Sequence, residues 1–196
     1  ESEWYKQILS WKKYLNNAKF ITVRSEKDVQ ILKQIIDSEV SVEYYPDLVY
    51  LITPSKYHFF DPDKKYITFI PTKTDGHSKK FLKEWRKYKN YDDRRIIITM
   101  ANEETEYALE LAKEINPHRG LNEFFDITPE EACRVIVDSD KIITCRYHGL
   151  VMANAYNKDV ISCDRRYKSV VEKKPIDKSL AIQHIESLKK LLTILE

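Results

Sequence analysis

A chain of 196 residues can bury one good hydrophobic core or two small ones. Apolar side chains make up 42% and charged ones 33%, which is a globular composition rather than a disordered one. The 33 basic residues against 31 acidic leave a formal charge of only +2, which argues against a nucleic-acid partner. No apolar run approaches a membrane span and no signal-like segment opens the sequence, so membrane association is expected to be peripheral at most and the location cytoplasmic. Cys133, Cys145 and Cys163 are odd in number and lack CxxC or Cys/His spacing, so no metal site is expected, and Cys145 and Cys163, in apolar strand contexts, read as buried free thiols in a reducing compartment.

In chain order, "EWYKQILSWKKYLNNA" (3–18) places Trp4, Ile8, Trp11 and Leu15 at helical spacing, a stripe that calls for a partner surface. "FITVR" (20–24) reads as a strand that hands over to a helix capped by Ser25, with Asp28 three residues on. "VSVEYYPDLVYL" (40–51) reads as one strand broken by Pro46, and "TPSKYHFFDPDKK" (53–65) as a linker. A regular alternation then follows. Strands are expected at 66–72, 94–100 and 122–127, and helices at 78–90, 103–115 and 128–139. Thr128, Pro129 and Glu131 give the last of these helices the strongest start in the sequence.

"KIITCR", "GLVMANAYN" and "DVISCD" add a strand, a helix and a strand, and residues 179–195 a terminal helix. Strands alternating with helices of this length specify a doubly wound parallel α/β sheet of Rossmann-like type. The expected division is a partial N-terminal α/β segment carrying the aromatic helix (1–60), a Rossmann-like domain (61–175) and a C-terminal helix (176–196).

Walker, GxGxxG, GxSxG and HExxH patterns are all absent. With only 3 glycines, the position of each is informative. Gly149 follows "RYH" where a strand meets a helix, at the sheet edge where α/β proteins bind ligands. Gly76 lies in "PTKTDGHS" at the same edge, while Gly120 reads as a plain turn residue. Arg146 and His148, one residue apart at an extended strand end, would project to one side. A guanidinium there can hold a carboxylate or phosphate, and an imidazole can move a proton. Arg24 ends another strand in the same manner, although on the residues alone a surface pairing with Glu26 or Asp28 is the reading preferred over a ligand contact. Arg165, Arg166 and Lys168 follow the last strand and suit either an anion or a solvated loop.

Two blocks, "FITVRSEKDVQILKQI…VEYYPDLVYLI" and "DSDKIITCRYHGLVMANAYNKDVISCDRRYKS", resemble the polysaccharide pyruvyl transferases, and the resemblance covers roughly residues 1–170. It implies an architecture similar to the C-terminal part of a two-domain GT-B fold. It also implies metal-free transfer of pyruvyl from phosphoenolpyruvate to a sugar of a cell-surface glycan, forming a ketal. No cofactor is implied beyond that donor substrate. Carried over by position, Arg24 ("ITVR") and Arg146, Tyr147 and His148 ("R-L-H", closed by Gly149) would line the donor site. The donor would lie between the two domains, with Arg146 and His148 catalytic. Lys168 matches the family's "DPK" lysine and Asp47 its "DP" aspartate.

Where the family has Gly-Pro before the last strand, this chain has Asn157-Lys158-Asp159. The family's Gly/Asn-rich N-terminal segment has no counterpart here, so a fragment or a reduced relative is expected. Two other readings stay open: a GT-B-type glycosyltransferase using a nucleotide sugar, and a non-catalytic module. Pairing of chains through the Trp4/Trp11 helix is a further expectation.

Overall fold

The fold is given by a computed structural model that describes residues 3–61, 63–72, 78–88, 94–100, 104–113, 121–124, 127–163, 179, 182–186 and 189. The chain forms two compact units, Val49–Ile176 and Glu1–Leu48 with Asp177–Glu196.

In the larger unit five strands build a parallel sheet: β3 (Tyr66–Ile70), β4 (Arg94–Ile98), β5 (Leu121–Phe124), β6 (Lys141–Thr144) and β7 (Asp159–Ser162). Their order across the sheet is β5-β4-β3-β6-β7. The chain starts at the centre, winds outward to β5, then crosses back to the other side of β3. The topological switch therefore lies between β3 and β6. Four helices make the crossovers: α3 (Ser78–Tyr88), α4 (Thr105–Lys113), α5 (Pro129–Asp138) and α6 (Tyr147–Ala155). The fold is the doubly wound, Rossmann-like α/β arrangement expected from the alternating pattern.

Strand alternation sorts the core into two layers. Ile67, Phe69, Ile97 and Ile143 share one face with Phe81, Trp85, Ala108 and Leu111 of α3 and α4. Tyr66, Ile70, Ile96, Ile98 and Ile142 share the other with Ala132, Cys133, Ile136, Met152 and Ala153 of α5 and α6. Phe69 sits edge-on to Trp85 at 4.7 Å and to Phe81 at 6.0 Å between ring centroids, contacts worth about 0.5–1.5 kcal/mol each beyond area burial. α5 starts as its sequence dictates. Thr128 Oγ1 accepts from Glu131 N at 3.2 Å, and the Glu131 carboxylate accepts from Thr128 N at 2.8 Å.

α6 ends in a Schellman motif. Lys158 N donates to Ala153 O at 2.8 Å, Asn157 N donates to Asn154 O at 3.0 Å, and Asn157 takes a left-handed φ of 52°.

The segment 53–61 is not a linker. Ser55 N donates to Glu130 O, Arg134 Nε to Ser55 O at 2.6 Å, and His58 Nδ1 lies 2.8 Å from the Asp138 carboxylate. Phe59 and Phe60 join the core beneath α5 and α6. Polar turn composition marks where the chain bends, not whether the bend is docked, and the boundary between units falls earlier, after Leu48. The strand expected over 40–51 is also shorter: Leu48–Leu51 forms a 3-10 turn instead.

In the smaller unit β1 (Phe20–Val23) and β2 (Ser41–Tyr44) pair in parallel, with α1 (Glu3–Leu15) and α2 (Glu26–Ile35) as helices. β2 stops at Tyr44 because Pro46 cannot donate to a ladder. Ser25 occupies the N-cap of α2 but makes no side-chain capping bond. Leu32, Ile35, Ile36, Val40 and Val42 form the core, covered by Ile8 and Leu15 of α1. Trp11, expected in the same covered stripe, is 61% exposed and lies 5.8 Å from the Tyr14 ring. The Trp4 side chain lies outside the described residues, as does most of the expected terminal helix, of which 182–186 are helical.

His184, on that last helical stretch, is buried and stacks on Tyr45 at 4.2 Å. Burial pushes its imidazole below the ordinary value of 6.5. The folded unit therefore binds fewer protons here than the unfolded chain. Its contribution to stability is full above 6.5 and is lost as pH falls through that value toward the lower folded one. Thermal midpoints taken between about pH 8 and about pH 5 should decline in the wild type. His184→Phe should flatten that decline, whereas an unchanged slope would assign it to other groups.

Candidate functional site

Parallel α/β sheets gather their helix N-termini and connecting loops at the carboxyl edge of the strands, and the crevice opens at the topological switch. Here that edge is the end of β3 and β6, and the sequence after β6 is Cys145-Arg146-Tyr147-His148-Gly149.

Arg146 is the N-cap of α6, with extended φ −95° and ψ 138°. Thr144 Oγ1 holds its backbone from both sides, accepting from Arg146 N at 2.9 Å and donating to Arg146 O at 3.1 Å. The Arg146 guanidinium reaches the Glu104 carboxylate at 2.6 Å. Glu104 follows β4 and Arg146 follows β6, so the ion pair joins the ends of the two strands that flank β3. Its carboxylate is 2% exposed while the Arg146 side chain is 31% exposed. Glu104 thus fixes one side of the guanidinium and leaves part of it toward solvent.

The strand-end alternation expected for Arg146 and His148 does not hold, because the helix already begins at Tyr147. His148 lies in the first turn of α6 and is exposed, with its ring 5.5 Å from that of Tyr147. The first turn of α6 carries no carboxylate, and the N–H groups of a first turn have no acceptors within the helix. A partly exposed guanidinium and an imidazole thus flank a helix N-terminus, an arrangement that attracts anions. Lys80, in the first turn of α3, adds an ammonium at the same edge by donating to Ser162 O at 2.6 Å.

Gly149 lets α6 start this close to the sheet. A Cβ at this position would lie 2.7 Å from Thr144 Oγ1 and 2.7 Å from Ile70 Cδ1. Gly149→Ala should therefore push on the hydroxyl that holds Arg146, costing about 1–3 kcal/mol by overpacking. Denaturant unfolding checks this, and a loss well below that range would mean that Ile70 and Thr144 yield freely.

In the smaller unit Arg24 and Asp47 come together. Arg24 follows β1, Asp47 follows β2, and the guanidinium donates to the carboxylate at 2.6 Å. The partner is Asp47, not Glu26 or Asp28. Arg24 remains 58% exposed while Asp47 is 10% exposed.

Gly76, Gly120, Arg165, Arg166 and Lys168 lie outside the described residues. Among the described residues no His/Cys/Asp/Glu group could hold a metal, and no helix is long and apolar enough to cross a membrane. Sequence reasoning missed Glu104, Thr144 and Lys80. Glu104 was open to discovery, since it follows a strand ending at the same edge, but an acid at a helix start has an ordinary use in the helix dipole.

Sheet order and switch point define a Rossmann-like α/β protein with the cationic side chains of Lys80 and Arg146 at its carboxyl edge. The family model described as polysaccharide pyruvyl transferase matches residues 2–167 of the 196. The chain belongs to that family. The match contains Arg24, Asp47 and the Arg146–Gly149 segment, and ends one residue before Lys168. No match is found among curated proteins.

Proposed function

We propose that the chain binds phosphoenolpyruvate at the N-terminus of α6 and takes part in pyruvyl transfer to a hydroxyl pair of a glycan. Family membership supplies the reaction class. The observation that carries the donor assignment is the Arg146 guanidinium, paired with Glu104 while Thr144 fixes its backbone, beside a helix start whose first turn has no acid. Phosphoenolpyruvate offers a carboxylate and a phosphate, and a guanidinium with helix N–H groups matches either in charge and geometry.

In this reading His148, as an imidazolium, gives its proton to the methylene carbon of the donor. The enol phosphate carbon C2 becomes electrophilic, and a sugar hydroxyl adds to it and loses its proton. Phosphate then departs with its bonding electrons, and a second hydroxyl closes the ketal. Arg146 offsets negative charge on the donor throughout, which lowers the barrier only insofar as the charge it faces grows in the transition state. Arg24, paired with Asp47 on its own sheet edge, is assigned to an anionic group of a substrate, as its place in the family motif suggests.

Calorimetric titration of the protein with phosphoenolpyruvate and, separately, with a nucleoside diphosphate tests the assignment. Saturable binding of phosphoenolpyruvate that Arg146→Gln abolishes is the expected result. Binding of the nucleotide alone would turn the site into one for a nucleotide sugar. Binding of neither would leave a module that does not turn over substrate.

A further inference from the structure

We propose that Cys145 and Cys163 form a peroxide-oxidisable dithiol whose product is a disulfide joining the carboxyl ends of β6 and β7. The two strands run in parallel register from Lys141↔Asp159 to Thr144↔Ser162, and each cysteine is the next residue on its strand. The ladder extends to them, since Cys163 N donates to Thr144 O at 2.7 Å and Cys145 N to Ile70 O at 2.9 Å. Register neighbours on a parallel sheet point to the same face, and both cysteines join the same core layer as Ile143. Adjacent strands lie about 4.8 Å apart, inside the Cα separation of about 4.4–6.8 Å that a disulfide accepts.

The surroundings favour reaction at one sulfur. The Cys145 thiol lies within hydrogen-bonding reach of Cys163 and holds the Cys163 thiol below its ordinary range; burial and the Glu84 carboxylate work against this shift, and the Lys80 ammonium adds to it. Lys80 is anchored at this spot by its bond to Ser162 O. Thiolate character selects the sulfur that attacks first, and a neighbouring thiol resolves the product.

The chemistry balances with hydrogen peroxide as the oxidant. The Cys163 thiolate attacks one peroxide oxygen and the O–O bond breaks, giving a sulfenic acid and a hydroxide that takes up a proton as water. The Cys145 sulfur then attacks the sulfenic sulfur, its proton leaves, and the hydroxyl departs as a second water. Two electrons pass from the sulfurs to the peroxide.

Cys133 serves as an internal comparison. It lies in the opposite core layer, on α5, where its thiol points at Ile52 O at 3.9 Å.

The test exposes the folded full chain to hydrogen peroxide, alkylates the remaining thiols under denaturing conditions and maps tryptic peptides without reduction. Peptides 142–146 and 159–165 should appear joined and lighter by two hydrogens, with Cys133 alkylated, and dithiothreitol should reverse the change. In Cys145→Ser the reaction should stop at a Cys163 sulfenic acid that a cyclic 1,3-diketone traps. Should this variant fail to fold, the wild-type map decides by itself. Recovery of both peptides singly and alkylated, over-oxidation of Cys163 without a crosslink, or equal oxidation of Cys133 would overturn the proposal.

Discussion

Arg146→Ala is expected to destabilise the larger unit and to remove donor binding together. The Glu104 carboxylate is 2% exposed and its charge is met by the Arg146 guanidinium at 2.6 Å. Truncating Arg146 leaves a charge in a place that water barely reaches, and breaking such a pair from one side costs about 3–5 kcal/mol. Glu104→Ala should cost less, because the Arg146 side chain is 31% exposed and water can replace its partner. The double variant should be markedly more stable than the sum of the single losses predicts, since it removes the stranded charge along with its cause. Denaturant unfolding of the four proteins measures this coupling. Additive losses would show that the ion pair holds neither partner. Arg146→Lys separates the two roles further: it keeps a cation for Glu104 but loses the planar fork, so stability should recover more fully than phosphoenolpyruvate affinity.

Arg24→Ala is expected to act in the opposite sense, on catalysis far more than on stability. Its guanidinium is 58% exposed, so water can take its place beside Asp47. A pair open to solvent on one side contributes about 1 kcal/mol or less. Removing a cation that meets an anionic substrate group should instead raise the barrier on the order of 2–5 kcal/mol. The comparison is therefore kcat/KM for pyruvyl transfer against the thermal midpoint. A deep loss of kcat/KM with a nearly constant midpoint assigns Arg24 to substrate. A large fall in the midpoint with unchanged kcat/KM would make Arg24 and Asp47 a structural ion pair and leave Arg146 as the principal cation of the reaction.

The doubly wound architecture was legible because β3, β4, β6 and β7 are rich in β-branched residues and alternate with segments of helix length. Thr128-Pro129 with Glu131 marks the clearest helix start, and the capping box forms as read. The docked segment 53–61 was not legible, since its ties are long-range: His58 to Asp138 and Ser55 to Glu130 and Arg134 depend on a helix some 75 residues further along the chain. Trp11 shows a similar limit, as helical periodicity identified a stripe but not which members of it α2 would cover. At the site, Arg146 and His148 stood out by residue type and by Gly149. Glu104 did not, because its role arises only once β4 and β6 flank the same strand.

Asn157 carries a consequence for what this position tolerates under selection. Its φ of 52° closes the Schellman turn between α6 and β7. L-residues reach that region at a cost of roughly 1–2 kcal/mol, which asparagine and aspartate partly avoid and glycine escapes. A saturation library at residue 157, sorted for chains that survive protease, should be enriched in Gly, Asn and Asp. Val, Ile and Thr should be purged from it.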